Sequence, residues 1–145
     1  MKHLTALQDL FQAEVDQLNL GTAPAKLYDP MHYIMGLGGK RLRPILSLMG
    51  AGIYGDPSKA MPQAMAIELF HNFSLIHDDI IDRAELRRGL VSVNARWGSS
   101  VAVLAGDFLH DRALVTIFEN GSTEVMRLFL KTAGIVCDGE IHELR

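Results

Sequence analysis

Cysteine is almost absent from this 145-residue sequence: Cys137 stands alone. That excludes an internal disulfide and fits a reducing, cytoplasmic compartment. Strong charge of either sign is missing too. Fourteen lysines and arginines face 17 aspartates and glutamates, a formal net charge of −3, so no overall field recruits a nucleic acid. Long apolar runs are also lacking. The longest uncharged stretch near the middle, Pro44 to Gly55, is too short and too rich in glycine to form a transmembrane segment. The opening MKHLTALQDLFQAEVDQL is broken by Gln8, Asp9, Glu14 and Asp16, unlike the apolar core of a secretory leader. No alternating strand pattern, internal repeat or low-complexity segment occurs. These absences leave a soluble globular chain, as 48% hydrophobic and 21% charged residues also require.

What is present is helical periodicity. Leu4, Leu7, Phe11, Val15 and Leu18 recur at helical spacing and predict an amphipathic first helix ending before Gly21. A short helix is expected near Met31–Leu37, and a third over Pro44–Tyr54 with Pro44 in its first turn. Gly55-Asp56-Pro57-Ser58 reads as a turn. From about Pro62 to Asp82, apolar residues from Met65 to Ile81 cover most of a helix's circumference, which predicts a buried helix. Further helices are expected over Ser99–Phe118 and from Ser122 to the end, where Val125, Leu128, Phe129, Ala133, Val136 and Ile141 keep helical spacing. The fold class is all-α. The last pattern stops at Arg145 without a glycine or proline signal, which would fit a natural helical end or a truncation; because the buried helix needs more partners than five neighbours supply, residues 1–145 are expected to form a single, truncated domain.

The chemistry concentrates in HDDIIDRAELRRG, residues 77–89, where four acidic side chains and three arginines share one short stretch. Asp78 and Asp82 are four apart and so lie one turn from each other on one helix face. His71 and Ser74 fall on the same stripe, and Asp79 flanks it. Mg²⁺ is bound by one or two carboxylates together with water and phosphate oxygens. Arg87 and Arg88 precede Gly89, and GGKRLRP offers Lys40, Arg41 and Arg43 beside paired glycines; guanidinium forks and ammonium groups suit phosphate. Such a set could hold one diphosphate through metal and another through bare cations. A plainer reading is a solvated helix end whose arginines pair with its own aspartates. Asp107 and Asp111 repeat the spacing elsewhere, and on residue types alone the two readings stand level.

Taken in order, GGKRLRP, ELFHNFSLIHDDIIDRAELRRG and LAGDFLHDRA resemble the N-terminal half of trans-polyprenyl diphosphate synthases, from about Gly36 to the end. The resemblance implies an isoprenoid-synthase helical bundle around a deep cavity. It implies a prenyltransferase that condenses isopentenyl diphosphate with an allylic diphosphate: the allylic diphosphate leaves with Mg²⁺, the isopentenyl double bond forms the new C–C bond, and a proton is lost. It also implies a homodimer.

Carried over by position, Asp78 and Asp82 would hold the metal with Asp79 in support, and Arg87 would contact the allylic diphosphate. Lys40, Arg43, His71 and Arg88 would bind the diphosphate of isopentenyl diphosphate. Phe73, with Ser74 beside it, would occupy the position that limits product length, and its ring implies a product of about fifteen to twenty carbons. The family's second aspartate-rich motif and its Lys-Thr pair are not in this sequence. Where the family often has Gly-Gln, this chain has Gly139-Glu140; Glu140 either adjusts the cavity or is the acid of a fraying terminus, and the second reading is preferred. The competing expectation is a half-enzyme, or a non-catalytic helical subunit that partners a synthase.

Overall fold

A computed structural model describes residues 2–144 of the chain. Among the described residues there are seven α-helices: α1 (Lys2–Gln17), α2 (Ala25–Gly36), α3 (Leu42–Gly52), α4 (Met61–Ile81), α5 (Val93–Trp97), α6 (Ser99–Asn120) and α7 (Thr123–Glu143). The expected all-α class holds. α4 runs through the middle, packed most extensively on α6 and flanked by α3, α2 and α5. Phe11, Met31, Ile34, Leu48 and Leu109 are fully buried around it, together with its own Leu69 and Ile76. Among the described residues no helix is long and apolar enough to cross a membrane.

Four features differ from the sequence-based expectation. First, α2 starts at Ala25 and carries Pro30 inside it. The missing N–H forfeits one backbone bond, while Pro30 and Met31 are both buried against the core, where apolar burial favours the helix. Second, the turn after α3 is a 3₁₀ segment, Pro57–Ala60, capped by Asp56, whose carboxylate accepts the backbone N–H of Ser58 at 2.9 Å. Third, a small antiparallel hairpin, β1 (Leu86–Arg87) and β2 (Leu90–Val91), pairs Arg87 with Leu90. Two-residue strands are too short to show alternation. Fourth, α5 is a five-residue helix capped by Ser92, whose hydroxyl accepts the Ala95 N–H at 3.0 Å.

α4 is buried along only part of its surface. Met65, Leu69 and Ile76 are enclosed, whereas Ile67, Phe70, Phe73, Leu75 and Ile80 are half-buried and Ile81 is exposed. α7 buries no residue fully. It leans on α6, and Phe129 meets Phe70 of α4 edge-on at 5.5 Å between ring centroids.

Candidate active site

The acidic stretch sits where α4 stops. Ala84 N–H bonds the Asp79 carbonyl at 2.9 Å and Arg83 N–H bonds the Ile80 carbonyl at 3.3 Å, with Arg83 at φ 52°. This is a Schellman ending with arginine in the place glycine usually takes, so the sequence carries no stop signal there. The termination sends three carboxylates to three environments. Asp82, the C-cap residue, is exposed, and Asp78, one turn back, is half-buried. Asp79 is fully buried.

Asp79 is engaged by the hairpin. Arg87 Nε donates to both carboxylate oxygens at 3.1 and 3.2 Å, and Nη2 donates to Oδ1 at 2.5 Å. That bond is the main reason the Arg87 guanidinium holds its proton more firmly than usual. Its Nη1 makes no hydrogen bond among the described residues. Arg88 and Gly89 form the two-residue loop, both at positive φ (55° and 78°), the signature of a type I′ hairpin turn. The turn sends Arg88 away from Arg87, against the backbone of Gly39. A Cβ on Gly39 would come within 2.8 Å of the Arg88 guanidinium, so only glycine permits that approach. Partial burial, and then Arg41, lower the proton affinity of Arg88.

The GGKRLRP turn divides its cations. Arg41, at φ 48°, points inward, buried against Glu68 of α4 in a short ion pair, and its Nη2 donates to the Met35 carbonyl at 2.7 Å. It is thus a structural cation and not one of three free phosphate donors. Lys40 and Arg43 stay exposed. Arg43 Nη1 lies 3.2 Å from His71 Nε2. A guanidinium can only donate, so His71 accepts on Nε2 and keeps its proton on Nδ1. Burial first, and then Arg43, push the His71 pKa down, in keeping with a neutral ring.

Two cavities meet here. One, of about 420 Å³, is basic: Lys40, Arg43, His71 and Arg88 line it, with Arg41 and Glu68 at its inner wall. The other, of about 330 Å³, is walled by Ile67, Phe70, Leu75, Phe129, Ala133 and Val136, and Ser74 and Asp78 also line it. Arg43 and His71 belong to both. Glu140 lines the second cavity as well. Asp78 is pushed above the usual carboxylate pKa chiefly by burial, and next by Glu140. Glu140 is therefore a component of this site and not the acid of a loose end, a placement that its sequence position does not disclose.

The side chains of Asp78 and Asp82 have no hydrogen-bond or ion-pair partner among the described residues, so both are free to take a cation. No group of three or more His, Cys, Asp or Glu side chains converges as a metal cage among those residues. A cation here would draw two carboxylates from the chain and its remaining oxygens from water and phosphate, which is the habit of Mg²⁺. The residues fit that ion. Asp107 and Asp111 follow the plainer reading: both are exposed on α6, Asp107 lying 3.5 Å from His77 and Asp111 3.7 Å from His110.

Ser74 reaches the apolar cavity, but Phe73 is not part of its lining. Phe73 packs instead against Phe70, His77 and His110 in tilted and edge-on contacts at 5.3, 4.7 and 5.0 Å between ring centroids. Phe70 and Phe129 are the aromatic rings on the cavity itself. Their shared role was not legible in the sequence, because the two lie 59 positions apart and each reads as ordinary core.

Comparison with known proteins gives the same picture throughout. A family model for polyprenyl synthetase matches residues 24–145. A geranylgeranyl diphosphate synthase of Methanosarcina mazei is 40% identical over 134 residues, covering 88% of this chain and 41% of that protein. A crystal structure of a geranylgeranyl pyrophosphate synthase superposes with a TM-score of 0.89 at 42% identity, covering 96% of this chain and 44% of that one. A polyprenyl synthase from Caulobacter crescentus, solved with calcium and isoprenyl diphosphate, superposes at 0.88 with 30% identity, covering 97% and 44%. The chain thus spans less than half the length of these relatives, and their matched portion is N-terminal. On its sequence and its fold, this chain belongs to the polyprenyl synthetase family.

Proposed function

We propose that this chain carries the first half of a trans-prenyltransferase active site, one that joins isopentenyl diphosphate to an allylic diphosphate. The observation that carries the reading is the meeting of a basic and an apolar cavity at Arg43 and His71, with Asp78 on the apolar one. Lys40, Arg43 and Arg88 hold the diphosphate of isopentenyl diphosphate, and His71 donates to it through Nδ1–H. Asp78 and Asp82 hold Mg²⁺, buried Asp79 fixes Arg87, and Arg87 directs its remaining Nη1 to the allylic diphosphate. When bound between Asp78 and Asp82, Mg²⁺ would supply Lewis-acid stabilisation to the departing diphosphate. The apolar walls exclude water from the reacting carbons. Phe70 and Phe129 close the cavity with Phe73 bracing Phe70, which suits a product of about fifteen to twenty carbons.

The chain alone turns over little or nothing, because the second acidic motif expected from the resemblance is not in it. The test is product formation from labelled isopentenyl diphosphate, an allylic diphosphate and Mg²⁺. The chain is assayed by itself and joined to the part of the Methanosarcina mazei relative that it does not match. Product from the joined protein, lost in D78A/D82A, supports the reading; a folded joined protein without product contradicts it.

One observation favours a second reading, a half-enzyme or helical subunit that partners a synthase or a second copy of itself. α7 leaves Leu128 and Ile135, two turns apart on one side of the helix, exposed by 60% or more, and exposed apolar surface of this kind invites association. Sedimentation as a stable monomer at high concentration would count against it.

A further inference from the structure

Arg41 and Glu68 form a buried pair that the proposed chemistry does not use. Arg41 is 8% exposed and Glu68 1%. Asn72, fully buried, donates from Nδ2 to the Glu68 carboxylate at 3.0 Å and to its backbone carbonyl at 2.8 Å. The pair is not saturated: Arg41 Nε, Glu68 Oε2 and Asn72 Oδ1 have no partner among the described residues. Buried charges with unmet hydrogen bonds are a poor source of stability, and apolar side chains of like volume commonly serve better. Arg41 is also held at φ 48°, ψ 34°, a left-handed conformation that a residue with a Cβ adopts only at a cost. Stability alone does not account for this arrangement.

Geometry does. Arg41 lies between Lys40 and Arg43, and Glu68 lies one helical turn before His71. The ion pair is therefore the tie that sets the GGKRLRP turn against α4. It brings Lys40 and Arg43 to the same cavity as His71 and Arg88. The left-handed backbone at Arg41 sends that one side chain inward while its neighbours remain exposed.

We propose that Arg41 and Glu68 are positioning residues for the basic cavity, holding its cations at the spacing of a diphosphate. This inference rests on the reading of that cavity as a diphosphate site. Charge alone makes the opposite prediction for Glu68, since removing a negative charge beside bound anion should tighten binding.

The experiment is calorimetric titration of inorganic pyrophosphate, without metal, into the chain and its E68Q and R41M/E68L variants. Circular dichroism reports folding. The double variant removes one charge of each sign, so the net charge of the cavity is unchanged and the core stays filled. The expected result is that both variants bind at least about tenfold more weakly while folded. If E68Q does not fold, the double variant carries the test. Affinity equal to or above that of the unaltered chain, in a folded variant, overturns the proposal.

If the unaltered chain binds no pyrophosphate, the diphosphate reading fails. Positioning is then read separately from the His71 ring by nitrogen NMR. Loss of the Nδ1–H tautomer in R41M/E68L supports it, and an unchanged tautomer overturns it.

Discussion

α4 and α7 are each 21 residues long, and both carry apolar residues at helical spacing, yet their situations are opposite. α4 buries nine residues, including the polar Glu68, Asn72 and Asp79; α7 buries none. Periodicity specifies that a helix forms and which side is apolar. It does not specify how many neighbours cover that side. α4 is enclosed by α2, α3, α5 and α6, so its polar groups must find partners inside the fold: Glu68 has Arg41, Asn72 has Glu68, and Asp79 has Arg87. α7 has α6 behind it and offers Phe129, Ala133, Val136 and Glu140 to the cavity. One helix organises the site, and the other forms one wall of it.

The largest expected effect contrasts equivalent truncations. Leu69→Ala in α4 should lower stability to urea by about 3 kcal/mol, whereas Leu128→Ala in α7 should change it by less than about 0.5 kcal/mol. Equal losses would mean that α7 is as enclosed as α4. Next come the neighbouring acids at the end of α4. Asp79→Ala removes three charge-assisted bonds and should destabilise by about 2 kcal/mol. Asp78→Ala removes a half-buried carboxyl without a partner and should be close to neutral. A similar loss for both in chemical denaturation would refute the division between a structural and a free carboxylate.

A smaller effect tests the one acid that α7 brings to the site. Glu140→Gln should bring the Asp78 pKa down toward the ordinary carboxylate range, read by carbon NMR of its carboxyl. No movement would remove Glu140 from the site. The smallest effect is pH-dependent. Because His71 is held below its ordinary pKa, the unfolded chain takes up a proton on this ring at higher pH than the folded one. Stability should therefore fall as pH drops through the ordinary histidine range toward the lowered value, and His71→Gln should flatten that slope in urea midpoints measured across the range.

Much of the architecture was readable before the structure. Six helices follow from apolar spacing, because burial on one face leaves a periodic record. The unread parts are those where a local rule yields to a tertiary contact: Pro30 inside α2, Arg83 in a helix stop that normally takes glycine, and strands of two residues. In the site, the residue types were legible and their allegiances were not. Nothing in GGKRLRP says that Arg41 turns inward while Arg43 stays out. Nothing in RRG says that Arg87 pairs with Asp79 while Arg88 crosses to Gly39. Those choices depend on positive φ at Arg41 and Arg88 and on contacts between segments distant in sequence. Phe70 reads as ordinary core, and for Glu140 the sequence favours the terminus over the cavity that it lines.

The central claim is that Asp78 and Asp82 form a metal-bridged clamp for diphosphate. The most direct measurement is electron paramagnetic resonance of Mn²⁺, standing in for Mg²⁺, titrated into the chain with and without inorganic pyrophosphate. Binding that pyrophosphate tightens by about tenfold or more, and that D78N/D82N abolishes, is what the clamp predicts. Mn²⁺ binding that is unaffected by D78N/D82N would contradict it.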